Sequence, residues 1–431
     1  MMLYWKVLRH SLLLPSAVLL IALSYLAGSA QASAWQSDWA TASAHLLSTV
    51  VVIGPLTAGT VAWEAGRFRR SGFGPLMSSM PRSSQSYARF VISGTFIAAL
   101  LGFTTAAVAV RDSVLGGGVV WWPIILIGVL ALLVCAILGF ALGSYASSIV
   151  AAPLSIFATY VWMVFGSVSL GGPWVRLSPI TQDCCSINSE LSSAVTASEF
   201  CWLIALIVFG LLVLRAKAQL EFTSKLNAGR TASHFLLASV SMLAGLVIVG
   251  IYGGPMTVTA ATISQPSCDR SKEAVTVCTW PQHEYQLSRT MDAVKYLHLK
   301  LPGVKLPTLF LESGLHLPQK GSYAMFDLPG PPVEPRQLAE QISQNLISQI
   351  PNCSTSKRSS SVIAAEEYFL ASAWMSEKFS NDRIPPAILV PPLMQRKLTA
   401  LIQLPWNMQM TWFRHDNQAL QACNSLSIPI R

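Results

Sequence analysis

The residues best placed to do chemistry are few, and each misses the spacing its chemistry needs. His283-Glu284 opens like the zinc pattern H-E-x-x-H, in which two histidines four apart hold a metal from one helix face. Position 287 is leucine, so the second ligand is missing. The other C-terminal histidines, His298, His316 and His415, are scattered. Glu366-Glu367 reads as a solvated helix face, and Trp280-Pro281 beside Cys278 as a packing corner rather than a ligand box. No G-x-S-x-G marks a strained nucleophile turn. No Gly-Lys pair occurs, so the chain has no Walker A cradle for ATP phosphates. The expectation is a chain with no catalytic residue, no cofactor and no metal of its own.

Stepping from side chains to the elements that carry them, a division appears near residue 252. Up to Ile251 the sequence is a series of long apolar runs nearly free of charge; from Tyr252 onward it is ordinary charged sequence. Hydrophobic residues make up 52% of the chain and charged ones 11%, less than half the share usual in soluble domains. A charge at the centre of a spanning helix costs about 2.5–3.5 kcal/mol, which explains why the runs exclude it. The first part holds thirteen Lys/Arg and seven Asp/Glu, the second sixteen and thirteen. No basic stripe with interleaved aromatics accompanies the net charge of +9, so nucleic acid is not an expected partner.

Seven runs approach the roughly 20 residues that a spanning helix needs. They are Leu12–Ala30, Leu46–Trp63, Phe90–Val110, Val120–Leu142, Ile149–Leu170, Phe200–Leu214 and Phe235–Ile251. The fourth and fifth are split only by residues 143–148, which predicts a tight hairpin. The sixth is short, flanked by Glu199 and Arg215. His45, Glu64 and Glu199 fall at the ends of runs and are expected at the membrane interface, leaving no mid-membrane proton relay. The predicted architecture is an α-helical polytopic membrane domain, 1–253, followed by a mainly helical, disulfide-bearing domain, 254–431.

Lys/Arg in short loops sets orientation. Lys6 and Arg9, then Arg67, Arg69, Arg70, Arg82 and Arg89, then Arg215, Lys217, Lys225 and Arg230 fall on alternate loops and predict the cytoplasmic side. Seven spans then leave the C-terminal domain outside. Cysteines fit: Cys135 and Cys201 lie in spans, whereas Cys184, Cys185, Cys268, Cys278, Cys353 and Cys423 all fall on the outer side, where disulfides persist. Six cysteines allow fifteen pairings; the simplest are Cys268–Cys278 and Cys353–Cys423. The adjacent Cys184-Cys185 pairs with itself only under strain, and pairing of one member elsewhere is an equal alternative. The N-terminal run also reads as a cleavable signal peptide, with small residues after Ala30; an uncleaved first span is the expectation.

The most specific stretch is the loop from Trp63 to Arg82. Arg67, Arg69 and Arg70 form a basic cluster at headgroup level, and Gly72, Gly74 and Pro75 suit a turn and helix start. Phe73, Leu76, Met77 and Met80 share an apolar face at helical spacing, closed by Pro81. That describes a short amphipathic helix suited to a partner's groove, or else a basic anchor on an irregular loop. The pattern Glu64, Arg67, Arg69, Arg70, Gly72, Leu76, Pro81 and Arg82 resembles the cytoplasmic coupling loop of ABC-2-type transporter permeases, which docks on the ATPase subunit. More narrowly, the chain resembles actinobacterial permease-like membrane proteins with an extracytoplasmic C-terminal domain. That resemblance rests on residues 54–59 and 62–67, Ala152-Pro153-Leu154 and residues 277–284. It implies a permease subunit that couples to a separate ATPase and works as a homo- or heterodimer. A seventh span and an outer domain depart from the six-span pattern of those permeases. The alternatives are a non-transporting membrane protein that senses or sequesters an extracellular ligand, and a membrane-anchored enzyme.

In the C-terminal domain the periodicity predicts helices over His283–Leu299, from Pro335 through Ile350, and over Ser361–Phe379, Leu393–Leu404 and Trp406–Leu426. Leu306–Leu311 reads as a short strand that Pro307 would confine to an edge.

Overall fold

The structure, a computed structural model, describes residues 13–30, 38–70, 83–112, 114–169, 172–180, 189–222, 228–259, 266–270, 275–304, 306–315, 323–328, 333–348, 370–375, 377–379 and 392–421. The chain is mostly helical and divides into two compact units, Met1–Ala260 and Ala261–Arg431. The division falls after Ala260 rather than after residue 253. A short strand that follows the last apolar helix pairs back into the first unit, and this carries the boundary with it.

In the first unit each expected apolar run coincides with a helix over most of its described length. These are α1 (Leu13–Ser29), α2 (Trp39–Ser48), α3 (Val50–Arg70), α4 (Ser83–Arg111), α5 (Trp122–Tyr145), α6 (Ser148–Ser169), α7 (Ser193–Phe222) and α8 (Ala228–Tyr252). Asp38 starts α2 by accepting the N–H groups of Ala40 and Thr41 at 2.7 and 2.9 Å. Thr49 stays in the helical region, so α2 and α3 run on as one apolar helix, Trp39–Arg67. Five helices are long and apolar enough to cross a membrane: Trp39–Arg67, Ser86–Arg111, Trp122–Tyr145, Ser193–Lys217 and Ala232–Tyr252. Leu13–Ser29 and Ser148–Val164 are shorter apolar helices. The sixth run is not short after all. It sits inside the 30-residue α7, which continues through Glu199 and Arg215. The hairpin between α5 and α6 narrows to Ala146-Ser147.

Small residues let these helices approach closely. A Cβ on Gly139 would lie 2.4 Å from the Ala58 carbonyl oxygen, and one on Gly143 would lie 2.3 Å from that of Ala62. Pairs four apart on α5 therefore face pairs four apart on α3, the small-xxx-small contact of membrane helices. The same pattern joins α1 to α4, where Gly28 abuts Ala106 and Gly102 abuts Ser24. The two proline-centred motifs, 54–59 and 152–154, lie within α3 and α6, which meet where Gly59 abuts Ile156. Large apolar side chains point the other way: Val18, Leu126, Phe157, Leu211 and Leu236 are exposed. Such a surface is at odds with water and at ease in hydrocarbon.

One end of this bundle is tied together by a 310 turn, Gly172–Leu177. The Leu177 carbonyl accepts both the Trp162 and Trp202 indole N–H groups, at 2.6 and 2.9 Å. Arg176 is buried and donates to the Gly254 carbonyl at 2.9 Å. At the same end β1 (Ser189–Leu191) pairs antiparallel with β2 (Thr257–Thr259), linking the start of α7 to the end of α8.

The second unit is built on a sheet that the sequence reading did not contain. Its order is β3 (Ser267–Arg270), β4 (Thr276–Thr279), β5 (Leu309–Glu312), β6 (Tyr323–Phe326). The first pair is antiparallel and the other two are parallel. The parallel step from β4 to β5 crosses over through a 310 turn (Pro281–Gln286) and α9 (Leu287–Lys300), so the first predicted helix splits in two. Leu309–Glu312 is an interior strand, not an edge. Pro307 lies ahead of it and removes no ladder hydrogen bond. Further helices are α10 (Pro335–Ser348), α11 (Pro392–Gln403) and α12 (Trp406–Gln421), with residues 370–375 and 377–379 also helical. The core joins Phe310 and Phe326 of the sheet to Val294, Leu338, Trp374 and Phe413 of the helices. Gln409 fastens it: its amide oxygen accepts the Trp374 indole N–H at 2.9 Å, and its NH2 donates to the Ile402 and Leu404 carbonyls. Cys268 and Cys278, directly opposite on β3 and β4, form the expected disulfide. A loop of this length adds about 3 kcal/mol by chain entropy. Cys135 and Cys201 are free; Cys184, Cys185, Cys353 and Cys423 lie outside the described residues.

Candidate functional site

Two places gather functional side chains, one in each unit. In the first unit α3 runs from the packed centre of the bundle toward the loop singled out above. Ala58, Ala62 and Gly66 form one stripe, and Gly66 abuts Ser148 so closely that a Cβ there would lie 2.5 Å from that residue's own Cβ. Glu64 is buried, and its carboxylate pairs with the Arg67 guanidinium at 3.6 Å. The Tyr87 hydroxyl of α4 donates to the Glu64 backbone oxygen at 3.2 Å. Glu64 and Arg67, matched on sequence alone, thus share one clasp with a tyrosine that sequence did not suggest. Arg69 and Arg70 continue α3, and their side chains lie outside the described set. Phe73, Leu76, Met77, Met80 and Arg82 also lie outside the described residues.

Next to this clasp, Lys217 of α7 donates to the Ser144 carbonyl near the end of α5 and lies 4.9 Å from the Tyr145 ring centroid. A cation at a helix C-terminus answers the carbonyls left open there. Lys217 was expected as a loop charge and proves to be a helix-end partner. His45, Glu64 and Glu199, expected near the ends of the spans, are all buried among the helices of the unit. The helices outrun the apolar windows, so residues at window ends become internal to longer, packed helices. His45 Nε2 lies 3.3 Å from the Gly28 carbonyl oxygen.

In the second unit the parallel strands β4 and β5 end side by side, and their final residues meet. His283, on the 310 turn after β4, places Nδ1 against Oε1 of Glu312, the last residue of β5. The second oxygen, Oε2, accepts the Trp280 backbone N–H at 2.9 Å. The Trp280 indole N–H donates to the Ser313 carbonyl at 3.1 Å. Glu312 begins a turn closed by Leu315 N–H to its own carbonyl, with Gly314 at φ +86°, a position that favours glycine. His283 and Glu312 are both buried. The failed H-E-x-x-H was therefore misleading about the partner. His283 is matched by a carboxylate 29 residues away and not by its neighbour Glu284. Trp280 is a packing corner as expected, but one that also orients Glu312. Among the described residues no group of three His, Cys, Asp or Glu is arranged to hold a metal.

Comparison with known proteins reaches the second unit only. Residues 277–423 match the family model of a domain of unknown function, DUF7224. The match starts within β4 and takes in Trp280, His283 and Glu312, so the buried pair belongs to the shared domain. No curated protein matches the chain, and no solved structure does.

Proposed function

We propose that this chain is the membrane-spanning permease subunit of an ABC-type transporter, coupled through the 64–82 loop to an ATPase on a separate chain. The observation that carries the reading is where that loop begins. It leaves the helix that packs most intimately in the bundle, against α5 and α6, and its first residues are fixed by the Glu64–Arg67 pair and Tyr87. A loop rooted in this way transmits a push to three helices, whereas a loop hung from a peripheral helix would not. The sequence has no Walker A cradle, so in this reading the energy source is a separate chain. In this reading all seven apolar helices cross the bilayer, the N-terminus is cytoplasmic and the second unit is extracytoplasmic. Loop charges and the Cys268–Cys278 disulfide support that orientation.

The test is co-purification with an ABC ATPase from the same cell, compared with the Leu76→Asp, Met80→Asp double variant. Loss of the ATPase from the double variant, with the variant still monodisperse, is the expected result. Undiminished ATPase binding would sink the coupling assignment. In the same preparations a cysteine placed at Ser71 should label only from inside and one at Ser356 only from outside. Labelling of both from one side would overturn the seven-span topology.

A further inference from the structure

Two exposed faces of the second unit meet where α9 ends. On α9, Lys295 and Leu299 stand four apart with Lys300 beside them, and Leu299 is 79% exposed. On α12, Met408, Thr411 and Arg414 step along one exposed face at spacing three. The turn after α9 brings the two faces together. Gly303, at φ +76°, lies against Arg414, whose Nη1 is 3.6 Å from where a Cβ on that glycine would stand. The patch thus sets the apolar tips Leu299 and Met408 among the cations Lys295, Lys300 and Arg414. Among the described residues of these two faces the one carboxylate, Asp292, pairs with Lys295 at 3.3 Å, so Lys300 and Arg414 leave the patch positive. A lone exposed leucine or a solvated basic face is ordinary in water. The two together, on a unit tethered to an apolar helical domain, point to a narrower role.

We propose that this patch docks the second unit on the bilayer surface, against anionic phospholipid headgroups. Lys300 and Arg414 answer the lipid phosphates, and each cation held near such a surface strengthens binding about fivefold. Leu299 and Met408 enter the boundary between headgroups and acyl chains, as the apolar residues of interfacial helices do. Residues 260–266 tether β3 to β2, so the second unit stays with the bilayer that holds the first. Tethering turns docking into an intramolecular event, and a small patch then suffices where a free protein would need a larger one. Charge also decides against a second copy of the same patch as the occupant, because two positive faces repel. The inference needs only that the first unit lies in lipid. It is independent of the permease reading and of the side on which the second unit lies.

The experiment uses the full chain in lipid nanodiscs, with an environment-sensitive fluorescent amino acid encoded in place of Thr411. One set of discs holds phosphatidylcholine alone and the other adds phosphatidylglycerol; both carry a lipid spin-labelled at the headgroup as quencher. We expect quenching in the anionic discs, and its loss in about 1 M salt, where the screening length falls to roughly 3 Å. Lys300→Gln with Arg414→Gln should lower the ratio of docked to free unit by about 25-fold, fivefold for each cation lost. Leu299→Asp should reduce quenching as well, through the apolar tip alone. All three side chains are exposed, and an unchanged aromatic circular dichroism spectrum shows that each variant is folded. The salt step uses the parent chain and needs no variant. Equal quenching in neutral discs, quenching that persists in the folded double variant, or no quenching at all would each overturn the proposal. A blue-shifted dye that lipid does not quench, seen only in discs loaded with two copies, would make a second chain the occupant and overturn it too.

Discussion

The two units share a buried apolar interior but differ in what makes their closest contacts. In the first, the closest helix contacts are made by small residues, Gly139 and Gly143 against Ala58 and Ala62, with aliphatic side chains such as Leu47, Ile53 and Ile127 buried beside them, while Leu126, Phe157 and Leu236 face outward. In the second, the interior is large and aromatic, with Phe310, Phe326 and Trp374 fully buried. The difference follows from solvent. Lipid tails are as apolar as leucine, so hiding a leucine from lipid gains little, and close backbone approach becomes the source of cohesion. Water penalises exposed apolar area by roughly 25 cal/mol per Å², so the second unit gains most by hiding its largest side chains.

Substitutions can break this contrast. The largest effect should come from Phe310→Ala in the second unit. Its side chain is fully buried between sheet and helices, and its loss should cost about 3–5 kcal/mol. Thermal unfolding followed by aromatic circular dichroism should show that unit melting earlier, and an unchanged midpoint would refute a water-driven core there. Next comes Gly143→Leu in α5. The new side chain must enter space held by the Ala62 backbone, which cannot rotate away, and overpacking of this kind costs about 1–3 kcal/mol or more. Size-exclusion profiles in mild detergent should show loss of monodisperse protein, whereas a normal profile would refute the close α3–α5 contact. The smallest effect is expected from Leu236→Ala, which removes a large apolar side chain that is 67% exposed. If the first unit lies in lipid this should change stability by less than about 0.5 kcal/mol. A loss like that of Phe310→Ala would mean the side chain is packed against protein.

The buried polar groups sharpen the same contrast. In the first unit Glu64 is answered from its own helix by Arg67, three residues on. In the second, Glu312 is answered by His283 across two strands. The local pair could be found by helical spacing, since residues three apart share a face. The distant pair had no sequence signal, because strands β4 and β5 are four residues each and show no alternation to set their register. The same shortness explains why only one strand of the sheet, Leu306–Leu311, was expected; the burial of Leu309–Glu312 at all four positions is what makes it interior. The Cys268–Cys278 bridge was legible because a ten-residue separation suits a hairpin, and the hairpin is there. The burial of His45 and Glu199 among helices was not legible, because apolar windows mark where charge is absent, not where a helix ends.

By itself the sequence determined the division of the chain into an apolar and a charged part, the seven apolar helices, and the first disulfide. Each of these depends on composition or on neighbours within about ten residues, where local preference and solvent decide the outcome. Tertiary structure alone decided which charges are buried, that β5 is interior, and that His283 faces Glu312. Those facts rest on contacts between residues distant in sequence, and such contacts form only once helices and strands have chosen their partners.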